Sequence, residues 1–496
     1  MTWLFAFSAC YTLGSTYNDG ANYILRTVDG GFLVVGYTFS ASSGANNDIY
    51  IYKLSSSFTH QWSIYIQGPG HESGFYAINT SDGGYLVVGN TNSYGAGGSD
   101  VIVIKLTSTG SVSWIRVIGT SGNEHARAAI EVSGNYIIVG TSTSINGRVY
   151  IISLSSTGSL NWTRVISASG INLEGFDIIR TSDGGYAIAG SYNRDLYIVK
   201  LSSTWSIEWS KTIDYTNYLD MAYDIIQTSD GGYAIAGVCC WGTNDCDACV
   251  VRLSSTGTVQ FKRAFGRSNV DHGRAIFQTS DGGYIVAGYF SWSDTDKDIW
   301  IFKLSSSGTL QWSRTYGSLD SEYGYSLSYT NSLDWVIAGE RSNSNIGGFD
   351  VFITVIQASD LTLCCSFAYN PSINVYDLGT EGSGGSISTI PSSISTPSPT
   401  VFSIGVISTV CTTPVSINES NNFLYCQNKI IVKLDSHSHY ANVKIYDISG
   451  KLLSKSREFV KDQSIEIDIS NIKKGIYVLE IESENQKFKR TFIRRR

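Results

Sequence analysis

Two series of acidic residues recur along this chain at near-fixed spacing. Asp19, Glu72, Glu124, Glu174, Asp220, Asp271 and Glu322 each stand 12 or 13 residues before an aromatic residue that opens a strand-like run. Asp48, Asp100, Asp195, Asp247, Asp298 and Asp350 open a second kind of run, and His71, His125 and His272 adjoin the first series. Carboxylates gathered in a ring would capture a cation or a cationic ligand, because hard ions such as Ca2+ take several oxygen ligands. No cofactor is expected beyond such an ion. Paired carboxylates also serve glycoside cleavage, at separations that a sequence does not disclose. The competing role is mechanical, each acid capping a turn or accepting backbone N–H bonds. Repetition in every unit favours the mechanical role, since a binding site usually breaks symmetry.

Cys239, Cys240, Cys246 and Cys249 form a second cluster. Four thiolates so spaced suit zinc, whereas an exported protein makes disulfides of them. The expectation here is one or two local disulfides. No G-x-S-x-G, H-E-x-x-H or phosphate-loop motif occurs, so no catalytic residue is assigned. The Thr-x-Asp-x-Gly phrase resembles the Asp-box of sialidases, but the Thr and aromatic expected after it are replaced, in one unit by Ala234 and Ile235. It reads as a hairpin turn.

The elements that must position these residues repeat about every 50 residues. A phrase close to Thr-Ser-Asp-Gly-Gly-Tyr-x-Val-Ala-Gly ends at Gly36, Gly89, Gly140, Gly190, Gly237, Gly288 and Gly339. Each unit holds four strand-like runs, A to D. In one, A is 274–279, B is 284–289, C is 298–304 and D is 309–316. Asp-Gly-Gly and Ser-x-Gly turns supply the positive φ that tight hairpins need. The closing glycines lie among β-branched residues, which points to close backbone approach. Strand D carries Trp62, Trp114, Trp162, Trp209 and Trp312, with Phe261 substituting once. A ring at that place would dock onto the neighbouring unit. The third unit departs from the pattern, with Arg148 in place of the strand C acid and Ser133-Gly134-Asn135 as its turn.

Such a period predicts an all-β protein, a seven-bladed β-propeller in which strand A lines the channel. The seventh unit lacks strand D, and Trp3-Leu-Phe-Ala-Phe7 is expected to supply it from the other end of the chain, removing two open edges. Both acid series would then lie on one face. The Leu-Ser-Ser-x-Gly-x-x-x-Trp hairpin resembles that of the tryptophan-docked propellers of the quinoprotein type, without their quinone-binding constellation. The whole array is similar to bacterial secreted propellers built from Asp-Gly-Gly-Tyr repeats, a group with no common activity.

Composition narrows the partners. Residues 427–496 hold 15 Lys+Arg against 9 Asp+Glu, a balance of +6, which leaves 20 against 33, or -13, for residues 1–426. An acidic body argues against nucleic acid. No run approaches the ~18 apolar residues of a membrane helix. The N-terminus has no basic segment and too short an apolar stretch for a secretory signal, so a leader is expected upstream of Met1.

Residues 359–422 are Ser-, Thr-, Gly- and Pro-rich and read as a spacer. Strands are expected again at 429–434, 442–448, 464–469 and 475–481. Val443-Lys-Ile-Tyr-Asp447, Gly450-Lys451 and Lys474-Gly475-Ile-Tyr477-Val-Leu-Glu-Ile481 resemble the C-terminal sorting domain of the bacterial type IX secretion system, a small β-sandwich ending in a basic strand. The resemblance implies passage across the outer membrane, with the secretion machinery as partner, and a secreted or outer-membrane surface location. The expected organisation is a propeller over 1–358, a linker over 359–422 and a sandwich over 423–496. The function expected is binding or adhesion toward an extracellular glycan or protein, through B–C and D–A loops rich in Tyr, Trp, Asn and Ser. An extracellular carbohydrate-active hydrolase or lyase using the ring carboxylates is the alternative.

Overall fold

Alternating β-branched and aromatic residues between glycine turns fold into antiparallel four-stranded sheets. The computed structural model describes residues 10–13, 17–39 and 46–358 apart from 144–146, 214–217, 243–244, 268, 294–295, 318–320 and 344–347, and beyond 358 chiefly the strands named below. Seven such sheets form a closed seven-bladed propeller. The innermost strands are Asp19–Arg26, Glu72–Asn79, Glu124–Val132, Leu173–Arg180, Met221–Gln227, His272–Gln278 and Glu322–Tyr329. Each packs against the next, and the last against the first. Asn18 Oδ1 accepts from the Phe349 amide at 3.0 Å and Ser326 Oγ from the Ile24 amide at 3.2 Å, across the closure.

Strand D of the seventh blade does come from the N-terminus, at a different place from the one expected. It is Cys10–Leu13, paired with Val351–Thr354. Trp3–Phe7 lie outside the described residues. Seven apolar clusters fill the seven blade interfaces, Tyr11, Phe32 and Tyr52 with Val336 and Val351 at the closure. The strand D rings dock as expected. Trp62, Trp114, Trp209 and Phe261 lie flat over Gly110, Gly158, Gly257 and Gly308 of the following blade, where a Cβ would strike the ring.

The recurring phrase has a mechanical explanation at each letter. In the first A–B turn Asp29 accepts from the Gly31 amide at 3.1 Å, from Thr27 Oγ1 at 2.5 Å and from Lys53 Nζ at 2.9 Å. Gly30 takes φ +79°, and a Cβ on Gly31 would meet both the Leu54 carbonyl and Lys53 Nζ. Asp82, Asp183, Asp230 and Asp281 repeat the ion pair with Lys105, Lys200, Arg252 and Lys303. The glycine ending the phrase faces a β-bulge in strand A. A Cβ on Gly140 would lie 1.7 Å from the His125 carbonyl oxygen, and one on Gly288 1.8 Å from that of His272. All seven inner strands carry the bulge at the same register.

The 359–422 stretch supplies a fifth strand to every blade. Phe367–Tyr369, Asn374–Asp377, Glu381–Gly382, Ser386–Ser388, Ser393–Ser395 and Thr400–Ser403 pair with strand D of blades six, five, four, three, two and one, and Ser408–Cys411 pairs with Cys10–Leu13. The chain thus retraces the ring in reverse, covering each outer edge. Beyond it stand two further sheets. One orders Phe423–Cys426, Lys429–Lys433 and Ser464–Asp468; the other orders Leu452–Phe459, Tyr440–Asp447, Gly475–Ser483 and Lys487–Arg494.

Candidate functional site

Six of the seven ring acids are buried at the seams between strands and turns. Glu124 accepts from the Thr120 amide and hydroxyl and from Ser142 Oγ, all at 2.7 Å. Glu72 accepts from Thr91 Oγ1 at 2.8 Å and from Ser93 Oγ. Asp271 accepts from the Ser291 and Arg267 amides at 2.7 and 2.9 Å, and Asp220 from the Cys240 amide at 3.0 Å. Glu322 pairs with Arg341 at 3.0 Å, and Asp19 is 2% exposed. These groups tie strand A to strand B and to the preceding loop.

Glu174 differs because of its register. In the other blades the acid stands two residues before the small residue that pairs with the closing glycine, as Glu72 does before Gly74, paired with Gly89. In blade four Leu173 holds that place before Gly175, paired with Gly190, and is fully buried. A displacement of one residue moves a side chain to the other face of a strand. Glu174 therefore lines the central cavity. The 12-residue spacing of Glu124 has another origin, a shorter A–B turn.

The strand C acids meet the ring acids of the following blade. Asp247 accepts from Trp241 Nε1 at 2.9 Å and Asp298 from Trp292 Nε1 at 2.7 Å. Asp100 accepts from the Ala96 and Gly97 amides at 3.1 and 3.2 Å. Carboxylates of Asp247 and Asp271 both border Gly266, as those of Asp100 and Glu124 border Gly119. Burial, with the neighbouring acid adding to it, pushes Asp271 up to about 8; burial pushes Asp247 up to about 7. Among the described residues no group of three or more His, Cys, Asp or Glu is arranged to hold a metal ion. Cys239–Cys249 and Cys240–Cys246 are disulfides joining strands B and C of blade five.

The channel itself holds a cavity of about 630 Å3. The residues carried on the seven bulges, Asn22, Phe75, Arg127, Phe176, Tyr223, Arg274 and Tyr325, all line it. A bulge re-aims the side chain it carries, and in six blades the residue after it, Tyr23, Tyr76, Asp177, Asp224, Ala275 or Ser326, lines the cavity as well. Glu340 closes one side, accepting from Tyr37 and Tyr325 hydroxyls at 2.8 and 2.7 Å. Asp177 and Asp224, one position past the bulge, accept from the Ile225 and Ile276 amides at 3.1 and 2.7 Å. Burial first, and the neighbouring Asp224 after it, hold Asp177 well above the carboxylate range. Burial also raises Tyr23 and Tyr76, whose rings lie 4.1 Å apart. His272 stacks between Tyr223 and Tyr289, and burial lowers it well below its usual value. His125 is held by Asn90 Nδ2 at 2.8 Å, while His71 is exposed on its loop against Asn47. The B–C and D–A loops lie partly outside the described residues.

Residues 426–495 match the family described as the secretion system C-terminal sorting domain. The tail marks a secreted or cell-surface protein. Of its motif residues, Lys451 is exposed, Gly475 and Tyr477 lie in the strand paired with Tyr440–Asp447, and Gly450 falls outside the described residues. No helix is long and apolar enough to cross a membrane among the described residues. No curated protein matches the chain. Solved structures similar to it include the neuraminidase-like protein of A/little yellow-shouldered bat/Guatemala, 10% identical, covering 70% of this chain and 97% of that one with a TM-score of 0.38. Another is the neuraminidase-like protein of A/flat-faced bat/Peru, 13% identical, covering 71% and 94% with a TM-score of 0.36. Likenesses this distant carry neither fold nor function to this chain.

Sequence reasoning took the recurring acids as the candidate ring and passed over the bulge residues. The signal for them was present: each follows directly on a Gly or Ala that recurs in every strand A.

Proposed function

We propose that this is an exported binding protein whose ligand, an extracellular glycan, occupies the central cavity. One observation carries the reading. The seven bulges repeat, but the residues they aim into the channel do not, so the ring built to face a ligand is the ring that lacks symmetry. A volume of about 630 Å3 suits one or two sugar residues. The Phe176 ring offers a face for the apolar side of a pyranose, and Asn22 and Glu174 offer partners for its OH groups.

The hydrolytic alternative rests on the Asp177–Asp224 pair. Each of those carboxylates is tied to a backbone amide and coupled to the other, so neither stands free as a general acid or nucleophile. The binding reading is favoured for that reason. Titration calorimetry of the whole chain against a panel of mono- and disaccharides tests it. Binding that weakens at least tenfold in Phe176→Ala, without release of reducing ends, is the expected result. Reducing-end release abolished by Asp177→Asn would replace binding with catalysis, and no binding to any sugar would remove the glycan.

A further inference from the structure

We propose that the sugar bound in this cavity carries an oxyanion, held between Arg127 and Arg274, a carboxylated sugar being the simplest case. The proposal rests on the glycan reading above and adds the charge of the ligand.

Arg127 and Arg274 stand on the bulges of blades three and six, and both line the cavity. Neither forms an ion pair within 4 Å among the described residues, and Nε of each is buried without a hydrogen-bond partner. The acids around them are engaged elsewhere. Glu340 serves two tyrosines, and Asp177 and Asp224 serve backbone amides. Glu174 accepts from Ser191 Oγ at 3.3 Å and attracts Arg127 only through space.

Burial sets a cost on the charge of Arg127 and the guanidinium of Arg274 adds to it, while Tyr223, Tyr289 and Tyr325 around Arg274 favour its cation. Two like charges facing one half-buried cavity are a cost to the fold. An anion between them removes it. Their setting also orients them for that task. Arg127 lies over the Phe75 ring at 4.8 Å and Arg274 over the Tyr223 ring at 4.0 Å. A guanidinium stacked by its face keeps its in-plane N–H groups for a planar or tetrahedral oxyanion, the geometry in which Arg recognises carboxylate and sulfate.

Calorimetry on the full chain with glucuronic acid, galacturonic acid, glucose 6-sulfate and glucose tests this. At least one anionic sugar should bind tenfold or more tighter than glucose, with a preference that shrinks as salt rises. The uronic acids and the sulfate ester separate the two sources of oxyanion. Arg127→Gln and Arg274→Gln should each abolish the preference for the anionic sugar over glucose. A second readout does not depend on the ligand chosen: the double variant Arg127→Met/Arg274→Met should raise Tm in the absence of sugar, since a charge pair kept for binding destabilises the empty protein. Glucose binding as tightly as every anion, or a Tm that falls in the double variant, overturns the proposal. If neutral sugars bind and lose affinity in Phe176→Ala while anions gain nothing, the glycan reading survives and this one fails; if no sugar binds, both fail.

Discussion

Strand A presents two sets of residues that lie side by side and obey opposite rules. The seam acids are of one chemical kind in six blades, buried, and engaged with strand and loop, Glu124 by three hydrogen bonds and Asp271 by two. The bulge residues range from Asn22 through Phe75 and Tyr223 to Arg127 and Arg274, and all seven line the cavity. A chain built from seven copies must hold identical joints identically, so whatever recurs in all copies is joint. Function enters where copies differ. Glu174 belongs to the second set although its spacing imitates the first.

The two sets meet at the closing glycine, and a substitution there affects both. In Gly288→Ala the added Cβ meets the His272 carbonyl oxygen at 1.8 Å, with backbone on both sides and no flexible side chain to yield. The bulge that carries Arg274 has to open. We expect a loss of roughly 3–4 kcal/mol, near the upper range for a single overpacked site, measured by urea unfolding. Sugar affinity should fall as well, because Arg274 loses its aim. A variant that is destabilised but binds unchanged would show that the bulge is only a joint.

The joints were the legible part of the chain. Blade number, the docking of Trp62 and Trp114, and closure by the N-terminus all follow from local patterns that repeat. The closing strand was misplaced because Trp3 carries the tryptophan that marks strand D elsewhere, whereas the pairing with Val351–Thr354 is made by Cys10–Leu13. The encircling strands left no trace, since main-chain pairing at an edge asks for no particular side chain, and a Ser- and Thr-rich stretch shows no alternation. The cavity ring stayed hidden for a related reason. A bulge inserts one residue into the strand and breaks the two-residue period by which an inward face is read.

The seams should also respond to pH, in the same direction as the raised Asp177 and Asp224 of the cavity. Asp271 and Asp247 keep their protons to about 8 and about 7, against a usual carboxylate value of 3.8. Over that interval the folded chain binds more protons than the unfolded one. The stability they contribute is therefore fully present below about pH 4 and is lost as pH rises through 7 and 8. We expect on the order of 2 kcal/mol to be lost between pH 6 and 8, seen as a falling Tm. Asp247→Asn should flatten that slope, since it removes one of the two groups and the charge facing the other. A slope unchanged in the variant would mean that the paired carboxyls at Gly266 do not govern it.

Glu174 gives the finest test of the distinction between joint and site. Its carboxylate accepts one bond, from Ser191 Oγ at 3.3 Å, and otherwise faces the cavity, while Leu173 fills the seam in its place. Removing it takes no acceptor from a backbone amide among the described residues but withdraws the partner of Ser191 Oγ and a charge near Arg127, so Glu174→Ala should cost about 1 kcal/mol. Its absence also withdraws the negative charge that attracts Arg127. An anionic sugar should then bind as well or slightly better, and a neutral one that used Glu174 as acceptor should bind less well. Thermal unfolding with and without each sugar separates these effects. A Tm loss of many degrees in the empty protein would return Glu174 to the joints, and with it the claim that one residue of register decides which set an acid joins.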